Sequence, residues 1–563
     1  MDARARADAP ALDLRLARLI PPDALAVVSV ADVPAFLGRI SKTGVARALG
    51  DERVARFARE IVANLPRDAA ELHAAGLLLA RGLEGSLRRE AVAAIFDIRR
   101  RDGAEALGAV FLADVSGRSS EARAFLGTTL AVRFISGSID IVEVAGVDAV
   151  VCRSGPVTVA WCECDGLLVV ATSERALAAV LSRRPTLKGA PKGLESSAPY
   201  RRAMAGATID GRVDYRAYVD VERLVTRAMG ERAASFRAKY GLEGIRAAAL
   251  AGRVNGAVRE AVYLATRDAS GKAGEPRGIS GLLGGPRIGL DEASRLPPET
   301  IVAAFGSVDG RWLAKFLSDP QSLRGAPKAV ALFVNLLGRE SARRILEGVR
   351  GEAAVAAWND GHVGWFPRAA AVATAGDPAT TKRTLEDAWR SMARRMRGGF
   401  LPRRGRWTGD PPREVTMGFV ERPEAFAALV GSPAYGLDGN TLVAGTAATA
   451  VSQIIGESVG LAGTDEFRSL VAGLPPARSV FVYVNVETLV ERALEPHAPA
   501  VLEALFPGLA GRLDREKLPP GEAVARHLGP AGVSAARVEG GVRVDAATPT
   551  GLAAVMLLAY ALF

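Results

Sequence analysis

Short runs of β-branched and small apolar residues that end on a polar side chain recur along the chain. Each run predicts a buried strand, and the apolar residues that follow it at spacings of three and four predict a helix. Asp32, Asp220, Asp309 and Asn485 stand at these junctions. Because a side-chain oxygen at such a position can accept a hydrogen bond from the first helical turn, these four residues are predicted N-caps.

One unit of strand, cap and helix occurs twice. Residues 218–229 and 483–494 share eight identical residues among twelve aligned positions, and Pro-Pro pairs at 21–22 and 297–298 begin both copies. The pattern predicts an internal duplication, so that each half serves as a control for the other. A residue without a counterpart in the other half is not required by the shared fold.

The order of predicted elements indicates the fold class. Each half begins strand, long helix, strand, strand, helix and strand, which is a ferredoxin-like order, and further hairpin strands follow. The prediction is an α+β fold with internal duplication, in which each half forms a mixed or antiparallel sheet with helices mainly on one face. The predicted divisions are a disordered tail over residues 1–18, a first domain over 19–267, a Gly-rich linker over 268–292, a second domain over 293–547 and an apolar segment over 548–563.

Composition indicates a folded protein with more than one domain. The 563 residues are 49% hydrophobic and 24% charged, and a chain of this length exceeds one ordinary core. The net charge of +10 favours anionic partners, but only 9 of the 72 basic residues are Lys. Since such an excess of Arg, with abundant Ala and Gly, is typical of GC-rich genomes, the global charge is weak evidence for a partner.

Cysteine content and the chain ends predict a location. Three Cys residues are too few for a disulfide framework. No apolar run follows the first charged residues, so they do not predict a secretory signal, and we expect a cytoplasmic protein. Residues 551–563 are all apolar or small. As a helix they would extend about 20 Å, short of the ~30 Å of a bilayer core, which favours docking on the protein over a membrane tail or a self-association segment.

The Pro-Pro starts, the units of strand, cap and helix, and the segment at residues 519–530 (PPGEAVARHLGP) resemble a known protein family. It is a family of large bacterial proteins from GC-rich genomes, grouped under a domain of unknown function. The resemblance covers most of both halves and implies no activity, cofactor or catalytic residue. It implies export or association with the cell envelope, from which this chain departs because it has no N-terminal signal.

The most metal-like stretch contains two cysteines. On a strand, Cys162 and Cys164 would share a face, and Cys152 would lie across a predicted hairpin. A zinc site requires four N or S ligands, and no His stands near in the sequence. In the second half the aligned residues are Tyr435 and Leu437, which are typical of a core. Small buried side chains are therefore the favoured interpretation.

Other chemistry is sparse in the sequence. The four His residues, at positions 73, 362, 497 and 527, stand far from one another and from any Cys. The motifs of phosphate loops, zinc proteases and serine hydrolases are missing. The sequence therefore predicts no catalytic residue, no cofactor and no metal ligand.

One local cluster is strongly basic. Seven Arg residues fall within seventeen positions that contain no acid, namely Arg390, Arg394, Arg395, Arg397, Arg403, Arg404 and Arg406. Trp389, Phe400 and Trp407 are interleaved with them. We interpret the segment as a loop, because Gly398-Gly399 and Pro402 would end a helix. The last six Arg residues are candidate ligands for phosphates of nucleic acid or anionic lipid, and the alternative is a solvated loop without a partner.

Three functional hypotheses remain open at this point. The favoured one is a non-enzymatic scaffold or binding protein that uses a broad sheet face or the groove between the halves to hold a protein partner or a second copy. The second is peripheral binding to an anionic surface through residues 390–406. The third is an enzyme whose site assembles only in the folded chain. The sequence does not identify the ligand.

Overall fold

The computed structural model divides the chain into two compact units. Unit 1 comprises Met1–Ala273, Ala493–His527 and Val538–Phe563, and unit 2 comprises Gly274–Arg492 and Leu528–Arg537. The structure describes residues 16–63, 85–99, 105–133, 137–154, 157–184, 189, 191–239, 242, 244–266, 285–307, 314, 339–358, 368–395, 401–405, 415–421, 434–456, 459–491 and 519–551. These units are defined by their compactness, whereas the predicted domains were defined by the similarity of two sequence segments. The predicted domain boundaries are therefore not tested by this division and stay a prediction.

The described ranges contain twenty strands. In unit 1 they are β1 (Ala24–Val30), β2 (Ala91–Arg99), β3 (Glu105–Asp114), β4 (Ser138–Val144), β5 (Val147–Ser154), β6 (Val157–Cys164), β7 (Leu167–Ala171), β8 (Tyr215–Val219), β9 (Ile245–Asn255), β10 (Ala257–Thr266) and β20 (Gly541–Thr548). In unit 2 they are β11 (Thr300–Ser307), β12 (Val349–Trp358), β13 (Arg368–Ala375), β14 (Leu401–Gly405), β15 (Thr416–Glu421), β16 (Ala434–Asp438), β17 (Thr441–Gly445), β18 (Val480–Val484) and β19 (Ala531–Val538, whose last residue belongs to unit 1).

Helices of different length connect these strands. The α-helices of unit 1 are α1 (Val33–Ile40), α2 (Gly44–Gly50), α3 (Glu52–Ala63), α4 (Ser119–Arg133), α5 (Glu174–Leu181), α6 (Ala198–Gly206), α7 (Val221–Met229), α8 (Ala233–Lys239) and α13 (Gly521–Ala525). Those of unit 2 are α9 (Arg339–Glu347), α10 (Pro378–Arg395), α11 (Ala448–Ile455) and α12 (Asp465–Ala472), and residues 486–491 are also helical. Short 3₁₀ helices occupy Leu16–Leu19, Leu194–Ser196, Gly230–Arg232, Asp291–Ser294 and Leu461–Gly463.

The sheet of unit 1 is antiparallel at every pairing between its described strands. Its strand order is β4-β5-β6-β7-β3-β2-β1-β8-β9-β10-β20. The coarse prediction of an α+β protein is therefore confirmed. The ferredoxin-like order stays a prediction. In a split unit of that kind the two strands joined by the first helix are parallel and are not neighbours, whereas here β2 pairs directly with β1 and is antiparallel to it.

The sheet of unit 2 follows the same order. Its described strands run β14-β15-β16-β17-β13-β12-β11-β18-β19, again antiparallel throughout. Each strand in this order therefore corresponds to the strand of unit 1 whose number is lower by ten, as β14 corresponds to β4 and β19 corresponds to β9. A register irregularity also recurs, between Ala24 and Ala26 in β1 and between Thr300 and Val302 in β11.

Three of the four predicted helix caps are confirmed. The side chains of Asp32, Asp220 and Asn485 each accept a hydrogen bond from the backbone N–H three residues later, at 2.9, 2.9 and 3.1 Å. Each bond satisfies an N–H group that has no partner inside the helix, which contributes about 1 kcal/mol. The fourth predicted cap, Asp309, lies outside the described residues.

Helices cover both faces of the sheet in unit 1. On one face, Val27 of β1 belongs to the same buried cluster as Leu177 of α5 and Ala203 of α6. On the opposite face, Leu126 of α4 packs in a second cluster with Leu168 of β7. The burial of Ala122 and Leu126 thus places α4 on the second face, and the expectation of helices mainly on one face stays a prediction.

A Glu residue anchors the segment that precedes the first strand of each unit. In unit 1, Glu90 accepts a hydrogen bond from the backbone N–H of Leu16 at 3.1 Å. In unit 2, Glu352 accepts one from Leu290 at 2.9 Å and others from two neighbouring N–H groups. Residues 285–292, the last part of the predicted linker, are thus held against unit 2 and are not a free connection.

Two predicted terminal segments contribute little to this description. The tail predicted over residues 1–18 is described only from residue 16, and the apolar segment predicted over 548–563 only as far as residue 551. Within the part of the chain that the structure describes, no helix combines the length and the apolar character that a bilayer crossing requires.

Candidate functional site

The predicted anion-binding residues fall mostly beyond the described side chains. Arg394 and Arg395 end α10, Arg403 and Arg404 lie on β14, and Arg397 and Arg406 lie outside the described residues. The side-chain positions of the four residues on α10 and β14 are not described either. Binding of phosphates by this cluster therefore stays a prediction.

Two parts of the interpretation of this basic segment are corrected. Residues 401–405, which were predicted as part of a loop, form β14 and pair with β15 along their whole length. Trp389 is 9% exposed and meets the Tyr435 ring at a centroid distance of 4.9 Å, so it belongs to the core and not to a binding surface. The Arg390 guanidinium forms an ion pair with the Asp387 carboxylate on the same helix, at 3.0 Å.

The three cysteines do not converge on one face of the sheet. Cys162 and Cys164 lie on the same face of β6, as predicted. Cys152 pairs with Val159, which lies on the other face of β6, so Cys152 points to that other face. The hydrogen bond between the two neighbouring thiols lowers the pKa of Cys164 to about 7 and raises that of Cys162. Burial raises the pKa of the Cys152 thiol.

Strand register also corrects the predicted counterparts of these cysteines. Cys162 pairs with Val169 of β7, and the equivalent position in unit 2 is Gly436 of β16. By the same register Cys164 corresponds to Asp438. The two-residue turn after Cys164 is Asp165-Gly166, whereas the two-residue turn after Asp438 is Gly439-Asn440. Because the sequence comparison aligned the Asp-Gly pairs of the two halves, it was wrong by one residue here.

Metal-binding groups of the usual kind are missing from the described residues. Within those ranges, no three His, Cys, Asp or Glu side chains are grouped to hold an ion. His527 accepts a hydrogen bond from Nε of Arg526 at 3.2 Å. The other three His residues, His73, His362 and His497, lie outside the described residues.

Several titratable groups with shifted pKa values have structural roles. Burial raises the pKa of Tyr200 and of Tyr218, whose rings meet edge to face with centroids 5.1 Å apart. Burial also raises the pKa of Asp220, which caps α7. Because a core contact or a helix cap already explains each group, none of them identifies a catalytic acid and base pair.

An apolar groove crosses the sheet of unit 1. Its floor is formed by β6, β7, β3, β2 and β1, on the face that α4 partly covers. Alternate residues of each strand share a face, so two adjacent rows of side chains point into the groove. One row contains Val28, Ala93, Phe111 and Val170, and the other contains Ala26, Ile95, Ala109, Thr172 and Val159.

The groove presents hydrocarbon to solvent. Its volume is about 400 Å³, and the side chains of Val28 and Ile95 are 50% and 40% exposed. Thr172 supplies the one hydroxyl among the described lining residues, and this oxygen accepts the backbone N–H of Ala109 at 3.0 Å. A ligand in the groove would therefore be held by the burial of apolar surface and not by hydrogen bonds.

The equivalent face of unit 2 carries smaller side chains. By strand register, Val28, Ile95, Phe111 and Val170 correspond to Ala304, Ala357, Ala371 and Ala444. At two positions the difference is reversed, since Val355, 57% exposed, corresponds to Ala93 and Val302 corresponds to Ala26. Because both units have the same strand order, that order does not require large side chains at the groove positions.

Sequence reasoning did not single out the groove. The unbroken apolar run around Ile95 predicted a buried strand, but Ile95 lies on the open face of β2 and is 40% exposed. The sequence contains one signal that could have found the groove, which is the replacement of Ala in the second half by larger residues in the first. Using that signal requires the strand register, because apolar runs of this kind align ambiguously.

Comparison with protein-family models, with curated proteins and with solved structures finds no match to this chain. No relative therefore supplies a ligand, a partner or a role for any residue. The resemblance to a bacterial family of unknown function stays a prediction, and a function has to be argued from the described sites themselves.

Proposed function

We propose that this protein is a non-enzymatic binding protein built from two homologous α+β domains, and that the groove of unit 1 holds an aliphatic chain. The observation that carries the proposal is a set of four larger, partly exposed apolar side chains, at positions where unit 2 has Ala: Val28, Ile95, Phe111 and Val170. Large exposed apolar patches on a soluble protein are typical of interaction sites.

Homology of the two domains is supported by contacts that recur at equivalent positions. Tyr218 and Tyr483 occupy the same place in β8 and β18. Each meets an aromatic ring of a preceding helix, Tyr200 at 5.1 Å and Phe467 at 5.4 Å between centroids. The shared order of nine strands and the shared irregularity in the first strand point the same way, since independent chains have no reason to agree in such details.

An aliphatic chain fits the chemistry of the groove better than a peptide does. The floor strands already pair with each other on both sides, so their backbone groups are not available to an added peptide strand. A peptide lying across the floor would bury its own N–H and C=O groups without partners, which costs roughly 1–3 kcal/mol for each group. A hydrocarbon has no such groups to satisfy.

The dimensions of the groove also suit an extended chain. Five neighbouring strands at about 4.8 Å spacing give a floor roughly 19 Å wide. With C–C bonds of about 1.52 Å, an extended hydrocarbon of roughly fifteen carbons covers this distance. The floor covers such a chain from one side, so we expect about half of the ~0.8 kcal/mol that complete burial of a methylene contributes.

Binding of neutral alkyl compounds tests the proposal. We would titrate the full chain with octyl, decyl and dodecyl maltoside below their micelle concentrations and measure the heat of binding. Two added methylenes are expected to tighten Kd by about fourfold, with little effect of salt. Equal affinity for the three compounds, or no binding by any of them, would refute the assignment.

The same titration separates the other hypotheses. Binding to an anionic surface through residues 390–406 predicts attraction to anionic vesicles that weakens steeply with salt and is indifferent to chain length. A scaffold role predicts self-association or a protein partner, and an enzyme predicts turnover. These three alternatives and the cytoplasmic location stay predictions.

A further inference from the structure

The thiols of Cys162 and Cys164 form a pair that the shared fold does not require. Both lie on one face of β6, which is held between β5 and β7. Cys162 is 2% exposed and Cys164 is partly exposed, so one thiol is internal and its neighbour opens toward solvent. Unit 2 has Gly436 and Asp438 at these positions and keeps the same strand pairing.

The pair is poorly placed to become a disulfide. Alternate residues of a strand are separated by about 6.6 Å, at ~3.3 Å per residue, and their Cβ atoms stand side by side at a similar distance. A disulfide holds Cβ atoms at about 3.5–4.5 Å. Closing the bond would require bending β6 away from two paired strands, which would break ladder hydrogen bonds on both sides.

Two thiolates at this spacing suit a single cation between them. A metal–sulfur bond is about 2.3 Å long, so a cation bridging two sulfurs in a line allows roughly 4.6 Å between them, compatible with neighbouring Cβ atoms on a strand. Thiolate ligands select soft cations such as copper(I). A four-ligand zinc site is not supported, because Cys152 faces the other side of the sheet and the described residues provide no third or fourth ligand.

A fixed cation next to the pair balances the charge of such a site. Two thiolates on a monovalent cation leave one negative charge. Besides the hydrogen bond from Cys162, the positive charge of the Arg184 guanidinium lowers the pKa of the Cys164 thiol. The guanidinium is held in place, because its Nε and one terminal nitrogen donate hydrogen bonds to the carbonyl oxygens of Leu181 at 3.2 Å and Ala145 at 3.0 Å.

We propose that Cys162 and Cys164 bind one soft monovalent cation of the copper(I) class, with Arg184 as an outer partner that neutralises the site. Binding releases the thiol protons to solvent as the two metal–sulfur bonds form, and no electron is transferred. Cys152 takes no part. The site is independent of the apolar groove, which lies on the opposite face of the sheet.

Competition with a chromophoric copper(I) chelator under anaerobic conditions tests the site in the full chain. The wild-type protein and Cys152→Ser are both expected to withdraw one equivalent of copper(I) from bicinchoninate. Arg184→Gln is expected to lower the affinity for copper(I) by roughly 10- to 100-fold, which is the usual cost of removing an outer partner. Cys164→Ser, which removes a ligand itself, is expected to lower the affinity by more than that. Loss of binding in Cys152→Ser, or equal binding by wild type and Cys164→Ser, would overturn the proposal.

A second measurement does not depend on the folding of any variant. Wild-type protein with and without one equivalent of copper(I) would be alkylated with iodoacetamide after brief opening in mild denaturant, and the modified peptides would be weighed. Protection of residues 162 and 164 together, with residue 152 modified equally in both samples, is the expected result. Protection of all three cysteines or of none would contradict a two-thiolate site.

Discussion

Replacing two exposed residues of the groove should weaken aliphatic binding without loss of the fold. Complete burial of a Val or Ile side chain contributes about 2 kcal/mol. Val28 and Ile95 remain 50% and 40% exposed, so roughly 0.9 of one such side chain is available to a ligand. A chain that covers half of this surface gains about 1 kcal/mol from the two residues, which is about fivefold in Kd.

The double variant Val28→Thr with Ile95→Thr is the appropriate perturbation. Thr is β-branched, so both strands keep their conformational preference while the exposed hydrocarbon becomes smaller and more polar. The assay is calorimetric titration with dodecyl maltoside, together with urea unfolding to check the fold. We expect Kd to rise about fivefold and the change to be smaller for octyl maltoside, since a shorter chain reaches fewer of the strands.

Unit 2 supplies a matched control for this experiment. Val355→Thr alters a side chain that is 57% exposed on the equivalent sheet face, and it should leave Kd unchanged. If the double variant binds dodecyl maltoside as tightly as wild type does, the groove is not the binding site. If the control variant weakens binding by the same factor, the loss comes from a general change in surface polarity and the assignment to unit 1 fails.

Three further substitutions examine the fold and its pH dependence. Asp214→Asn should lower the free energy of unfolding by about 2 kcal/mol in urea, because the nearly buried Asp214 carboxylate holds the Arg39 guanidinium at 2.8 Å; unchanged stability would show that this ion pair contributes nothing. Asp220→Asn should not destabilise the protein at pH 7, because burial raises the pKa of Asp220 in the folded chain and Asn485 caps the equivalent helix. A carboxyl whose pKa is raised in the folded chain stabilises the fold fully below its unfolded pKa of 3.8, and it loses that contribution as the pH rises through the folded pKa. Acidification should therefore raise the stability of wild type relative to that of Asp220→Asn. A variant that gains stability relative to wild type on acidification would contradict this account. Glu352→Ala should cost about 2 kcal/mol in the same urea assay by leaving three backbone N–H groups without an acceptor, and a loss below ~0.5 kcal/mol would mean that water replaces the carboxylate.

Features that depend on local chemistry could be predicted from the sequence. A cap such as Asp220 or Asn485 needs only its own side chain and the next helical turn, and the apolar run before it indicates a strand in any surroundings. The α+β class follows from the alternation of such elements. The helix caps at Asp32, Asp220 and Asn485 were therefore predicted correctly, each from a few neighbouring residues.

Features that depend on which strands are neighbours could not be predicted in this way. Val28 and Ile95 come together only because β1 pairs with β2, and the apolar run around Ile95 has no polar alternation to show which side is open. Cys152 points away from Cys162 because of the register between β5 and β6. A shift of one residue in that register reverses the face of every side chain on a strand, and the sequence does not specify the register in long apolar runs.

The two units together give an argument about function that neither gives alone. Exposed hydrocarbon favours aggregation, and the Ala residues at the equivalent positions of unit 2 show that the same sheet is compatible with less of it. The larger side chains at Val28, Ile95 and Phe111 are therefore not explained by folding. A ligand that covers them would account for their size, and it would also make the stability of unit 1, but not that of unit 2, depend on ligand concentration. Native-state hydrogen exchange can measure this difference in one sample, because saturating dodecyl maltoside should slow exchange in β1 and β2 and leave β11 and β12 unchanged. Equal slowing in both pairs of strands would mean that the alkyl chain does not distinguish the two faces, and the size difference between them would then need another cause.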